Sequence, residues 1–263
     1  MRRSYWSSFI RYPILRGEVI VLADFSSLQQ LHEAVRSCDR CPRLREYCAL
    51  VARERKPAYR DQEYWGRPVP GHGDPDARLL VVGLAPGAHG ANRTGRLFTG
   101  DESSQWLASA LFLHRFANQP NSDHAGDGLR LRDAYISNAV RCAPPDNKPS
   151  VAEVAACRPY LEAELELLAR VRVVLALGRL AFETTAGLLG SSGHVFRHGA
   201  VYRLPGRPIL VASYHPSQQN TRTGLLTPSM WMEVFGLVRR ELDLGQTSTV
   251  RLAPGTDSGI IEA

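Results

Sequence analysis

Four short apolar runs, at residues 79–84, 134–140, 171–177 and 209–213, are separated by longer stretches in which apolar residues recur at helical spacing. Runs this short, apolar at consecutive positions, suit strands covered on both faces better than buried helices. Strands alternating with helices predict one α/β domain: a central, mainly parallel sheet with helices on both faces. In such sheets ligands sit beyond the carboxyl ends of the strands. The loops that follow the runs are therefore where chemistry is expected.

The helices carry their own start signals. Ser26 or Ser27 is placed to cap a helix through Leu28, Leu31 and Val35 that ends just before Cys38. Further helices are predicted at about 103–116, 150–169, 179–189 and 227–242, the second opened by the capping-box pattern Ser150-Val151-Ala152-Glu153. Residues 56–76, rich in Pro, Gly and aromatic side chains, read as an ordered loop, and 118–128 as a surface loop. The 263 residues are thus expected to form one domain over 26–243, with disordered appendages at 1–25 and 244–263.

The net charge of +6 favours attraction to a polyanion such as nucleic acid. Nearly all of it is arginine, lysine occurring only at Lys56 and Lys148; the arginine fork suits phosphate oxygens, although a GC-rich genome would give the same bias. No segment is long and apolar enough to cross a bilayer, and the basic N-terminus lacks an apolar core with a cleavage site. A cytoplasmic monomer without membrane contact is expected. In a reducing compartment five cysteines are poor candidates for disulfides. Cys38 and Cys41 form a C-x2-C pair, while Cys142 falls at a strand end and Cys157 on the helix that follows. Four thiolates suit zinc and a [4Fe-4S] cluster alike, and Cys142 and Cys157 are also explicable as small buried hydrophobes. Cys48 is a spare that competes for ligation.

After the first strand comes Gly83-Leu84-Ala85-Pro86-Gly87-Ala88-His89-Gly90, a stretch that offers backbone N–H groups with little side-chain bulk. It fits neither the dinucleotide-binding nor the P-loop spacing, and alone implies only an anion- or nucleotide-binding loop. His215-Pro216-Ser217 follows the last strand and supplies an imidazole held by a rigid neighbour, with a hydroxyl suited to phosphate.

Three segments, Gly83 to Asp101 (GLAPGAHGANRTGRLFTGD), Ser137 to Pro149 (SNAVRCAPPDNKP) and His215 to Thr221 (HPSQQNT), resemble the signatures of the family 5 uracil-DNA glycosylases, the UDGb type. The likeness covers roughly 35–240. It implies a uracil-DNA-glycosylase-like fold and a base-excision enzyme acting on DNA that contains uracil or other deaminated bases, hypoxanthine and xanthine included. It also favours a [4Fe-4S] cluster, with zinc as the alternative, on Cys38, Cys41, Cys142 and Cys157. In the wider superfamily the Gly-x-x-Pro core carries a polar residue that activates water. Here Leu84-Ala85 is inert, a mark of family 5, and the resemblance passes the water to Asp101.

The roles that follow place Asp101, Asn138 and His215 as catalytic residues. Gly83, Ala85, Pro86, Gly87 and Phe98 complete the base pocket, with Phe98 stacking on the extruded base and Asn138 reading its Watson–Crick edge. His215 is expected to donate a hydrogen bond to uracil O2 as charge gathers there. Arg93, Arg96, Ser217, Gln218 and Asn220 are the expected DNA contacts. A Schiff-base lyase needs an amine; Lys56 lies outside all three segments and Lys148 inside the second, so a monofunctional enzyme is expected, with Lys148 the one amine that leaves lyase activity open. A metal-stabilised nucleic-acid-binding module and an enzyme of free nucleotides are the competing readings.

Overall fold

A computed structural model describes residues 25–191 and 193–247. The helices are α1 (Leu28–Arg36), α2 (Pro42–Glu54), α3 (Ala91–Thr94), α4 (Glu102–Leu113), α5 (Val151–Leu167), α6 (Arg179–Leu188), α7 (Gln218–Arg222) and α8 (Pro228–Thr247). The strands are β1 (His72–Gly73), β2 (Leu79–Gly83), β3 (Ala134–Asn138), β4 (Val173–Leu177), β5 (Val201–Tyr202) and β6 (Ile209–Ser213). They form one sheet in the order β1-β3-β2-β4-β6-β5. Its four inner strands are parallel, and the two-residue edge strands run antiparallel. Each of the four predicted strands is present, trimmed by a residue or two at its ends except the last.

The period of two decides which layer each strand residue joins. Leu79, Val81, Ile136, Leu175 and Val211 pack on one face with Leu107 and Leu111 of α4 and Trp231, Phe235 and Val238 of α8. Leu80, Val82, Tyr135, Val174 and Leu210 pack on the other with Leu161 of α5 and Phe182 and Ala186 of α6. A third cluster joins Leu31 and Val35 of α1 to Leu44 and Cys48 of α2 and to Cys157 and Tyr160 of α5. It forms a corner beside the sheet.

The caps match the local chemistry. Ser27 accepts from the Gln30 amide, and Ser150 and Glu153 close the expected capping box. Asp101 and Ser104 close another at the start of α4. Three expectations change. α2 was not anticipated; α8 continues through 245–247, where a disordered tail was expected; and Phe25, assigned to the N-terminal extension, packs against Tyr160 with ring centroids 6.5 Å apart. The expectations for 1–24 and 248–263 fall outside the described residues. Among the described residues no helix is long and apolar enough to cross a membrane.

Candidate active site

β2, β3 and β6 end on Gly83, Asn138 and Ser213, so their following segments emerge on one rim of the sheet. The amides of Ala139 and Val140 donate to the carbonyls of Gly83 and Leu84 (both 2.9 Å), locking the first two segments edge to edge. A Cβ added at Gly83 would stand 2.7 Å from the Phe98 ring and closer still to Asn138 Oδ1. Glycine is thus required there by the approach of two pocket walls, not by its backbone angles. Phe98 itself has φ +47, a left-handed conformation that costs energy in a residue with a Cβ. Its carbonyl accepts from Ser122 Oγ (2.9 Å).

The His215 ring lies against Phe98, with centroids 5.8 Å apart and planes inclined by 29°. Burial pushes its pKa down to about 4, against an opposing pull from Asp101, so the imidazole is neutral near pH 7. Asn138 is buried, and its side-chain oxygen has no hydrogen-bond partner among the described residues. A buried acceptor left unpaired costs roughly 1–3 kcal/mol, so this oxygen is available to a donor from a ligand or an ordered water.

Asp101 reaches the same rim from the far end of the first segment. Its Oδ1 accepts from the Ser104 amide (2.9 Å) and hydroxyl (2.7 Å), which fixes the carboxylate plane. Its Oδ2 lies over Gly87 and Gly90, and a Cβ at Gly87 would come within 3.0 Å of it. The loop is bare of side chains where the carboxylate crosses it. Pro86 is buried, and Ala85 packs against the cysteine corner. Asn138, Phe98 and His215, far apart in sequence, are therefore brought together about Gly83, while Asp101 meets the same segment at Gly87 and Gly90.

The residues expected to grip DNA divide differently. Arg93 is 7% exposed; its guanidinium donates to the carbonyls of His89 (2.7 Å) and Gly100 (2.6 Å) and lies over the Tyr59 ring. Arg96 pairs with Asp127 at 2.7 Å, its side chain 11% exposed. Both arginines staple the first segment together, and their forks are committed within the protein, contrary to the expected phosphate contact. Ser217 spends its hydroxyl on capping α7, and Asn220 Nδ2 donates to the His215 carbonyl (2.9 Å). Gln218 is exposed. Glu102, missed in the sequence, ties the first and third segments by accepting from Thr221 Oγ1 and from Arg222 (3.1 Å).

Behind Asn138 lies a buried polar knot. Glu164 accepts from Arg141 and from Ser137 Oγ, each at 2.5 Å, and both members of the ion pair are almost wholly buried. The Arg141 amide donates to Cys157 Sγ (3.4 Å), so this knot joins the Asn138 strand to the cysteines. Cys38, Cys41, Cys48, Cys142 and Cys157 are free thiols that share one cluster. Burial and the adjacent thiols of Cys157 and Cys38 push Cys41 up to about 11. Among the described residues no three His, Cys, Asp or Glu side chains converge closely enough to hold an ion. Cys48, Cys142 and Cys157 are buried there and Cys38 and Cys41 half-buried; by its chemistry, though not by its spacing, this set of thiols is of the kind a thiolate-bound metal group takes.

A family profile described as the uracil DNA glycosylase superfamily matches residues 70–238. A type-5 uracil-DNA glycosylase of Thermus thermophilus is 51% identical over 79% of this chain and 95% of its own length. One from Pyrobaculum aerophilum is 49% identical over 76% and 86%, and a type-4 uracil-DNA glycosylase from the same organism is 33% identical over 72% and 83%. With the profile spanning the sheet and all three rim segments and type-5 relatives this similar over most of the chain, the chain belongs to the uracil-DNA glycosylase superfamily and, within it, to the type-5 family.

Proposed function

We propose that this chain is a monofunctional DNA glycosylase that hydrolyses the N-glycosidic bond of uracil in DNA, and of hypoxanthine and xanthine besides. The observation that carries the reading is the orphaned Asn138 oxygen set against Phe98 across Gly83, with His215 stacked on that ring. A base swung out of the stack lies on Phe98 and offers its N3–H to Asn138 Oδ1. The neutral His215 ring donates to O2, where negative charge grows as the bond breaks. Preorganised donors of this kind are worth roughly 10²–10³ in rate. With the leaving group so stabilised, Asp101 Oδ2 needs only to hold the water and balance the cationic sugar, and the inert Leu84-Ala85 is no handicap.

Neither lysine belongs to the gathered residues, so no Schiff base forms and the product is an abasic site. With Arg93 and Arg96 committed internally, the DNA contact falls to Gln218 and its exposed neighbours on α7. Cys38, Cys41, Cys142 and Cys157 would hold a [4Fe-4S] cluster, which when bound contributes no bond-breaking chemistry and braces α2, α5 and the stretch after β3. The enzyme works as a cytoplasmic monomer on chromosomal DNA.

Incubation with oligonucleotides holding one uracil, hypoxanthine or xanthine, followed by alkali, tests the activity. Strand breaks at the modified base are expected; intact DNA with all three would overturn it. A covalent adduct trapped by borohydride would reject the monofunctional mechanism. Broad visible absorbance with about four irons per chain supports the cluster, and one zinc without iron rejects it.

A further inference from the structure

His198 belongs to none of the three rim segments, yet it touches the backbone of one of them. It sits between α6 and β5, in a stretch pinned to β6 by the Gly199 amide on the Ala212 carbonyl (2.8 Å) and the Ala212 amide on the Ala200 carbonyl (2.9 Å). β6 ends at Ser213, so the next amide, that of Tyr214, has no strand to bond to. An unpaired amide in a packed site is costly, and His198 Nδ1 accepts this one at 3.1 Å. The imidazole also stacks on the Tyr214 ring, with centroids 5.0 Å apart and planes 21° from parallel. The residue after Tyr214 is His215.

We propose that His198 is a positioning residue for His215: as a neutral acceptor it fixes the Tyr214 amide, and through it the direction in which the His215 ring enters the pocket. The other supports of His215 converge on the same stretch. The Gly178 amide donates to the Ser213 carbonyl (2.8 Å), so His198 and Gly178 hold the two ends of one peptide unit; Gly178 also backs the His215 side chain, where an added Cβ would stand 3.5 Å from His215 Cβ, Asn220 holds the His215 carbonyl, and Phe98 stacks on the ring. The inference rests on the glycosylase reading and deepens it.

The acceptor must carry no proton on Nδ1. Burial lowers the His198 pKa, opposed by the Met230 carbonyl and the Glu233 carboxylate of α8; on the β6 side it faces the Ser213 hydroxyl and Tyr214. In acid, a second ring proton on His198 confronts the Tyr214 N–H, and the segment gives way. His198→Phe keeps the stack and removes the acceptor. His198→Asn offers a carbonyl oxygen to the same amide and cannot titrate.

Single-turnover uracil excision is followed from pH 4 to 8 together with uracil-DNA affinity. His198→Phe should lose roughly tenfold in rate, about the net worth of one hydrogen bond, with affinity unchanged. His198→Asn should recover most of that rate and, because it cannot titrate, should hold it to lower pH than wild type does. His198→Phe at the wild-type rate, or His198→Asn no better than His198→Phe, would overturn the proposal. Should His198→Phe fail to fold, an acid limb in His198→Asn identical to wild type overturns it. Imidazole ¹⁵N resonances of His215 in the DNA-free protein give a readout independent of catalysis: a shift in His198→Phe but not in His198→Asn is expected, and no shift in either counts against it. Wild type that excises no uracil would count against the glycosylase reading instead, leaving this resonance test to decide the inference.

Discussion

Replacing Gly90 by alanine tests whether the position of the Asp101 carboxylate matters. Gly90 has φ −96, so no left-handed strain is involved, and the consequence is steric. The new Cβ would lie 2.9 Å from Asp101 Cγ, with Oδ2 nearer still, whereas carbons in ordinary contact are roughly 3.5–4.0 Å apart. The carboxyl must retreat by roughly 0.6–1.1 Å, the difference between those separations. Its Oδ1 is tethered to Ser104 by two hydrogen bonds, so retreat also loosens the α4 cap. A displacement of about 1 Å in a group that places a reactant costs on the order of 10²-fold in rate. Weakening the cap costs about 0.5–2 kcal/mol, or a few degrees in Tm at this size. Single-turnover excision of uracil from an oligonucleotide, with a thermal melt of the same sample, measures both. Gly187→Ala is the control, since an added Cβ there meets only Arg158 Nη1 at 3.7 Å on the outside of α6. Gly90→Ala turning over within about threefold of Gly187→Ala would refute the role given to Asp101, against the roughly 10²-fold loss expected of a misplaced reactant.

Other expectations concern stability. His72 and His215 both have pKa values lowered by burial from 6.5 to about 4. The unfolded chain therefore takes up these protons first: stability is fully present above pH 6.5 and declines as pH falls toward 4. Urea midpoints at pH 7 and 4.5 should show the decline, with a shallower one in His72→Gln; a midpoint that does not fall would contradict it. Glu164→Ala leaves Arg141 charged in a buried site and should cost about 3–5 kcal/mol. The double change to Glu164→Leu and Arg141→Met should recover much of that loss, and equal unfolding free energies for wild type and Glu164→Ala would remove the polar knot from the account.

What could be read from the residues follows their physics. The inner strands were legible because burial on both faces leaves an unbroken apolar run, as in Leu79–Gly83. Edge strands of two residues have no period to read. α2 had a signal, with Pro42 in its first turn and Leu44, Cys48 and Val51 buried along one face, but Cys41 and Cys48 drew attention to ligation instead. His215 was legible because it follows a strand end, whereas the roles of Asp101, Asn138 and Phe98 came from the resemblance, Asp101 lying well beyond β2 at the start of α4. Arg93 and Arg96 were misread since one arginine in a sequence looks like another: whether its fork meets phosphate or a carbonyl depends on chain folded back from Gly100 and Asp127. Glu102 and His198 went unnoticed for the same reason, because their partners lie in distant segments.

The central claim is that a neutral His215 draws charge out of the glycosidic bond. The direct measurement is single-turnover release of uracil from a defined oligonucleotide by wild type and by His215→Ala at neutral pH. Wild type should leave an alkali-labile site, and His215→Ala, still folded and still binding DNA, should be slower by roughly 10²–10³. Equal rates for the two would contradict the account.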